Sequence, residues 1–185
     1  MACAIVQALQ TMVTRTLDVF DPAVVTIARI EAGTTTNVIP ETAELHGTFR
    51  TLTPATRQAV RAGIEQAARH VAAAHGAEAT VTLTEGYPPV HNDPAFTTVV
   101  RDAATTLLGA GAVHLLPEPV MGAEDFSYVL QRVPGAMAFL GARPPSAPAE
   151  GAPDCHSNRV VFDEPAMAAG IALHAAVALR HLTGR

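Results

Sequence analysis

Ile5, Leu9, Met12, Val13 and Leu17 recur at helical spacing and predict an amphipathic helix over about residues 3–17, which Asp21-Pro22 breaks. The β-branched run Val24-Val25-Thr26-Ile27 and Ile30 predicts a strand, and Glu31 to Thr36 a loop. Asn37-Val38-Ile39-Pro40 is short and extended. From Ala43 to Thr51 the pattern alternates strictly. Ala43, Leu45, Gly47 and Phe49 share one face of a half-buried strand, and Glu44, His46, Thr48 and Arg50 share the other. Thr53 as N-cap and Pro54 at the first helical position open a second helix. Its apolar stripe is Val60, Ile64, Ala67, Ala68 and Val71, and Gly76 closes it. Thr80 to Thr84 alternates again and predicts a third strand.

The order helix, strand, strand, helix, strand is that of a split β-α-β-β-α-β unit without its first strand. Such a unit has a bare sheet edge, so the pattern suggests a chain that begins inside a domain. After Gly86 the character changes. Tyr87-Pro88-Pro89-Val90 is stiff and linker-like, and Asp93-Pro94 caps a helix that ends at Gly109. Val113–Leu116 predicts a short strand, Glu124–Val133 a helix, and the continuous apolar run Ala136–Leu140 a strand buried on both faces. Gly141–Asp154 is a long loop rich in Pro, Ala and Gly. Cys155-His156-Ser157-Asn158 and Val160-Val161-Phe162 follow, then an Ala-rich helix from Asp163-Glu164-Pro165 to about Leu182. The expected architecture is α/β in two parts: an α+β unit over 1–86 and an incomplete α/β layer over 87–185.

Composition narrows the function classes. The 185 residues carry a formal net charge of -5, with 12 basic residues, all Arg. These are scattered singly, which argues against nucleic-acid binding. Apolar residues reach 49%, enough for a real core, and no uninterrupted apolar run approaches the length of about 18 that spans a membrane. The N-terminus lacks the basic segment of a signal peptide, and Cys3 and Cys155 do not make a disulfide framework. A cytoplasmic protein with neither membrane nor nucleic-acid partners is expected.

Candidate chemistry is sparse. The chain has no HExxH, Cys-x-x-Cys, Gly-rich phosphate loop or Gly-x-Ser-x-Gly. His156 closes the long loop, where it is either a metal ligand or an ordinary polar loop histidine. Glu124 and Asp125 are either ligands or acidic complements to a helix N-terminus. Cys155 is a thiolate ligand or a small buried residue. Arg50 and Asn37 together offer a guanidinium fork and an amide for a carboxylate, against the plainer reading of a solvated strand face.

Three motifs carry a resemblance. Gly33-Thr-Thr-Thr-Asn37-Val-Ile-Pro40-Glu with Gly47-Thr-Phe-Arg50-Thr resembles the lid signature of the metal-dependent amidohydrolases. That family includes aminoacylases, hippurate hydrolases, auxin-conjugate hydrolases and carboxypeptidase-G-like peptidases. Met121-Gly-Ala-Glu-Asp125-Phe-Ser resembles its late catalytic-domain motif. His156-Ser-Asn-Arg-Val-Val-Phe-Asp-Glu164 resembles its C-terminal metal-ligand motif.

The resemblance implies a ferredoxin-like lid and dimerisation domain over 1–86, lacking its first strand. Residues 87–185 would be the C-terminal α/β part of a zinc-peptidase-like catalytic domain. It implies hydrolysis of small N-acyl amino acids at a centre of two divalent metals (Zn, Mn, Co or Ni), in a homodimer formed through the lid. His156 lines up with a metal ligand, and Asn37 and Arg50 line up with substrate-binding residues that reach the partner's active site. Glu124 and Asp125 match their motif as possible supports of the ligands, while Cys155 stands where the family varies. The other ligands and the general base have no counterpart, so the chain is expected to be inactive alone. A non-catalytic dimerisation module and one half of a split enzyme, whose N-terminal half is a separate chain, are the alternatives.

Overall fold

The computed structural model describes residues 1–148 and 150–183. The architecture is α/β, and the chain divides into two compact units. The first comprises Met1–Pro89 with Val120–Ala123, the second Val90–Pro119 with Glu124–Arg185.

In the first unit α1 (Ala2–Thr16) and α2 (Pro54–Ala74) lie over a two-stranded antiparallel sheet of β1 (Ala23–Ala32) and β2 (Ala43–Thr51). Ile5, Leu9 and Ala68 form the buried cluster, and Met12, Ile27, Leu45, Ile64 and Val71 pack against it. The helix stripes read from the sequence therefore meet the inward face of the sheet. Thr53 caps α2 by accepting from the Thr56 amide at 3.2 Å, with Pro54 in the first turn. The Thr53 hydroxyl also donates to Asp21 Oδ2 at 2.6 Å, and the Thr56 hydroxyl donates to the same oxygen. The Thr53 hydroxyl, then that of Thr56, holds the Asp21 carboxyl below the usual carboxylate range. This ties the turn after α1 to the start of α2.

The sheet carries one irregularity that matters for its outer face. Ile27 pairs with Gly47 but Arg29 pairs with His46, so Ala28 is a β-bulge. Before the bulge Val25 and Ile27 face the helices, and after it Ile30 and Ala32 oppose Leu45 and Ala43. The parity flip is why β1 reads as a continuous apolar run rather than an alternation. A Cβ at Gly47 would sit 2.2 Å from the Thr26 carbonyl oxygen, so the bulge requires glycine there.

The strand expected over Thr80–Thr84 differs from what forms. Ala77, Ala79, Val81 and Leu83 are half-buried and alternate with exposed residues, and Ala79 and Val81 pack on the core cluster. The segment is in strand-like register with the helices. Yet among the described residues no backbone hydrogen bond joins residues 78–84 to a partner, so there is no ladder and no strand.

The second unit is built from α3 (Pro94–Leu108), α4 (Phe126–Leu130) and α5 (Ala166–Thr183). Asp93 caps α3, accepting from the Phe96 amide at 2.7 Å. Phe96 of α3 meets His181 of α5 with ring centres 5.8 Å apart. The buried residues here are small: Ala103, Ala104 and Ser127. The strands expected over Val113–Leu116 and Ala136–Leu140 do not form among the described residues. The Asn92 side chain satisfies the Met137 backbone instead, with bonds of 2.9 and 2.8 Å. Phe139 is 65% exposed rather than buried on both faces. The helix expected over Glu124–Val133 is only five residues long, closed by the turn before Pro134-Gly135. The expectation that nothing is long and apolar enough to span a membrane also needs correction. By length and composition alone α5 passes, its 18 residues averaging a hydropathy of 1.3. Seven of them are alanines, it carries His174, Arg180 and His181, and none of its residues is buried within this chain.

Candidate functional site

Arg50 lies near the end of β2, opposite Val24, and its side chain is exposed. Its Nη1 donates to the Met121 carbonyl. The contact joins the lid-like motif to the first residue of the second motif, 71 positions later. It uses one guanidinium donor, and among the described residues no other hydrogen bond or ion pair engages the rest of the fork. Asn37 sits in the turn at 36–37 of the exposed loop between β1 and β2, in which Gly33 has φ +74. Its Oδ1 accepts from the Thr35 hydroxyl at 3.0 Å. No hydrogen bond joins Asn37 to Arg50 among the described residues.

His156, Glu124 and Asp125 belong to the second unit, and all three are exposed. His156 stands on a turn closed by the Ser157 amide on the Asp154 carbonyl at 2.8 Å and the Arg159 amide on Ser157 Oγ at 3.1 Å. Glu124 acts through its backbone: its carbonyl accepts from both the amide and the hydroxyl of Ser127, at 3.2 and 2.6 Å. Asp125 precedes α4 without capping it through its side chain. Cys155 is exposed, not a buried filler. A structural or catalytic zinc takes three or four protein ligands, and a two-metal centre takes more. Among the described residues no group of ligand-type side chains gathers around His156. The residues present therefore do not by themselves fit a two-metal centre.

One such grouping does exist elsewhere. Glu31, Glu44 and His46 have ligand atoms within 4.8 Å of one another on the outer face of the sheet. The bulge produces it by bringing Arg29 opposite His46 and Glu31 opposite Glu44. Arg29 Nε already donates to Glu31 at 2.7 Å, and His46 Nε2 lies 3.2 Å from Glu44. The four side chains form a solvated cross-strand set with its own compensating charge. Glu44 and His46 were readable as solvated, but their partners were not, because the register slip is invisible in the sequence.

Comparison with known proteins places the chain. The sequence model of peptidase family M20/M25/M40 matches residues 5–180. An N-acetyldiaminopimelate deacetylase of Geobacillus thermodenitrificans is 41% identical over 144 residues, covering 78% of this chain and 38% of the relative. An N-acetyl-L-cysteine deacetylase of Bacillus subtilis is 35% identical over 166 residues, 90% of this chain and 38% of the relative. A crystal structure from Bacillus subtilis, described as a dinuclear metal binding peptidase from the M20 family, superposes with a TM-score of 0.77 at 31% identity. The superposition covers 98% of this chain and 45% of that one. The chain belongs to peptidase family M20/M25/M40. It spans less than half the length of these relatives.

Proposed function

We propose that this chain is the substrate-clamping and C-terminal portion of a metal-dependent amide hydrolase whose substrates are small N-acyl amino acids. Family membership over residues 5–180 supports the reaction class, and the two deacetylase relatives support the acyl amino acid class. The observation that carries the site is the Arg50–Met121 contact. It holds the guanidinium by its backbone-facing edge while the remaining N–H groups stay exposed. A carboxylate is the natural partner of such a fork, and the Asn37 amide offers a further donor on the same unit. In this reading Arg50 and Asn37 bind and orient the amino acid's carboxylate or the acyl carbonyl, and they do so across a homodimer formed through the 1–86 unit. His156 contributes one metal ligand, with Glu124 and Asp125 beside the motif.

No hydrolytic step is assigned to the chain's own residues, because one histidine does not hold a centre of two divalent metals. Purified chain is expected to bind less than one equivalent of Zn, Mn or Co and to leave N-acetyl-L-cysteine and N-benzoylglycine unhydrolysed. Stoichiometric metal together with turnover would overturn the reading of an incomplete site. In that case other donors of this chain, such as Cys155 or Glu124, complete the centre with His156.

A further inference from the structure

The outer face of the β1–β2 hairpin carries a charge pattern that the ladder alone does not favour. Glu31 pairs directly opposite Glu44, and like charges facing each other across two strands destabilise the pairing. Neither carboxylate serves the core, which Leu45 packs from the other face of the sheet. The counter-charges are unevenly shared. Arg29 Nε donates to Glu31 at 2.7 Å, whereas Glu44 has His46 Nε2 at 3.2 Å, and that ring is charged only when protonated. Deprotonated, the same nitrogen offers a lone pair to a metal.

The ligand atoms of Glu31, Glu44 and His46 lie within 4.8 Å of one another. Donors about 2.1 Å from a tetrahedral zinc ion stand about 3.4 Å apart, so rotations of these exposed side chains complete the geometry without moving the backbone. Three features separate the set from an acidic patch. One donor is an imidazole, which suits zinc-like ions, whereas carboxylates alone suit calcium and magnesium. The donors come from two strands whose register is fixed by the ladder and by the bulge that Gly47 requires. Glu31 and Glu44 also line an open concavity of about 400 Å³ with Ala32, Gly33 and Thr42, which has room for an ion and its remaining waters.

We infer that Glu31, Glu44 and His46 bind one divalent cation of the zinc class, which bridges β1 to β2 beside the bulge and displaces Arg29 from Glu31. Two carboxylates and one imidazole supply three donors, and water completes the shell. An open site of this kind exchanges its ion, so the chain keeps little of it through purification. The inference does not depend on the hydrolysis proposed above, which concerns Arg50, Asn37 and His156, and its test reads binding and stability rather than turnover.

Titration of the purified chain with zinc tests it, read residue by residue by NMR so that uptake at His156 registers separately. The His46 Nε2 resonance and the amides of Glu31 and Glu44 are expected to shift together and to saturate as one event. Calcium and magnesium are expected to bind there at least about tenfold more weakly. Glu44→Gln and His46→Gln are each expected to weaken zinc binding about tenfold or more. Arg29→Gln removes the competing cation and is expected to tighten it about threefold, the worth of an exposed ion pair. Zinc at about a hundred times its dissociation constant is expected to shift the unfolding equilibrium of the first unit about a hundredfold in the parent and far less in Glu44→Gln. Without zinc that variant is expected to be at least as stable as the parent, since it removes the facing like charges, so the lost response reads the site and not unfolding. Absence of a saturable shift at His46 overturns the inference. Calcium binding as tight as zinc, or zinc binding indifferent to His46→Gln, overturns it as well and makes the set an acidic patch only.

Discussion

The two units are equally rich in apolar residues and close their cores to very different degrees. In the first, Ile5 and Leu9 of α1, Val25 of β1 and Val60, Ala68 and Ala72 of α2 are all buried. In the second, burial among the described residues is confined to Ala103, Ala104 and Ser127, and no residue of α5 is buried, Ile171 being 71% exposed and Leu179 62%. The difference is one of topology. The first unit brings two helices and a hairpin together through short connections, so its layers meet within about 85 contiguous residues. The second pairs α3 with α5 across about 60 intervening positions and leaves apolar side chains such as Phe139 and Ile171 largely exposed. Contiguity, not hydrophobic content, decides which part of this chain buries its own core.

Paired glycine substitutions break this comparison most sharply. Gly47→Ala places a methyl 2.2 Å from the Thr26 carbonyl oxygen, in a bulged pair where neither strand can move without losing its ladder. The expected loss is about 3 kcal/mol, read as a lowered urea midpoint for the first unit. Gly170→Ala in α5 meets only the tip of the Leu140 side chain, at 3.0 Å. Leu140 is 46% exposed and the contact is the far end of a flexible side chain, so the helix-propensity gain dominates, with an expected stabilisation of about 0.5 kcal/mol. A substantial loss at Gly170 would mean that the second unit is packed as tightly as the first.

A pair of truncations gives a smaller contrast of the same kind. Val60 is 0% exposed, and Val60→Ala is expected to cost about 2 kcal/mol through lost burial and the cavity left behind. Leu179→Ala removes a larger side chain from α5 but is expected to change stability by less than about 0.5 kcal/mol, because that side chain already faces water. Denaturation of both variants, followed by the exchange of unit-specific amides, separates the two effects.

Most of the first unit was legible because its signals are local. Thr53-Pro54 and Asp93-Pro94 are helix starts in both sequence and structure, and the alternation over Ala43–Thr51 is β2. The segments that departed from expectation, Thr80–Thr84 and Ala136–Leu140, have strand-like composition, but a strand is defined by a second backbone that local pattern does not report. The same limit applies to the candidate site. Arg50 and Asn37 stood out by residue type, and the motif at Met121 did too, yet nothing local says that the Met121 carbonyl receives the Arg50 guanidinium. The Arg29–Glu31–Glu44–His46 set was hidden for a related reason, since it depends on a one-residue slip at Ala28.

The smallest predicted effect concerns the Asp21 anchor of the first unit, and its sign follows from the hydroxyl bonds. Thr53 and Thr56 stabilise the ionised carboxylate, so the folded-state pKa lies below the unfolded value. The stabilisation is therefore fully present above the unfolded pKa and is lost as pH falls through the folded one. Thr56→Val keeps the side-chain shape and removes one of the two donors. At neutral pH the variant is expected to be less stable than the parent, and the gap is expected to narrow in acid as Asp21 protonates in both. Urea unfolding of the two proteins across a pH series from neutral into the acid range measures that gap directly. A gap that stays constant as Asp21 titrates would assign the role of Thr56 to packing at the start of α2. A narrowing gap assigns it to the carboxylate, and with it the anchoring of the α1–β1 turn that lets the first unit close on itself.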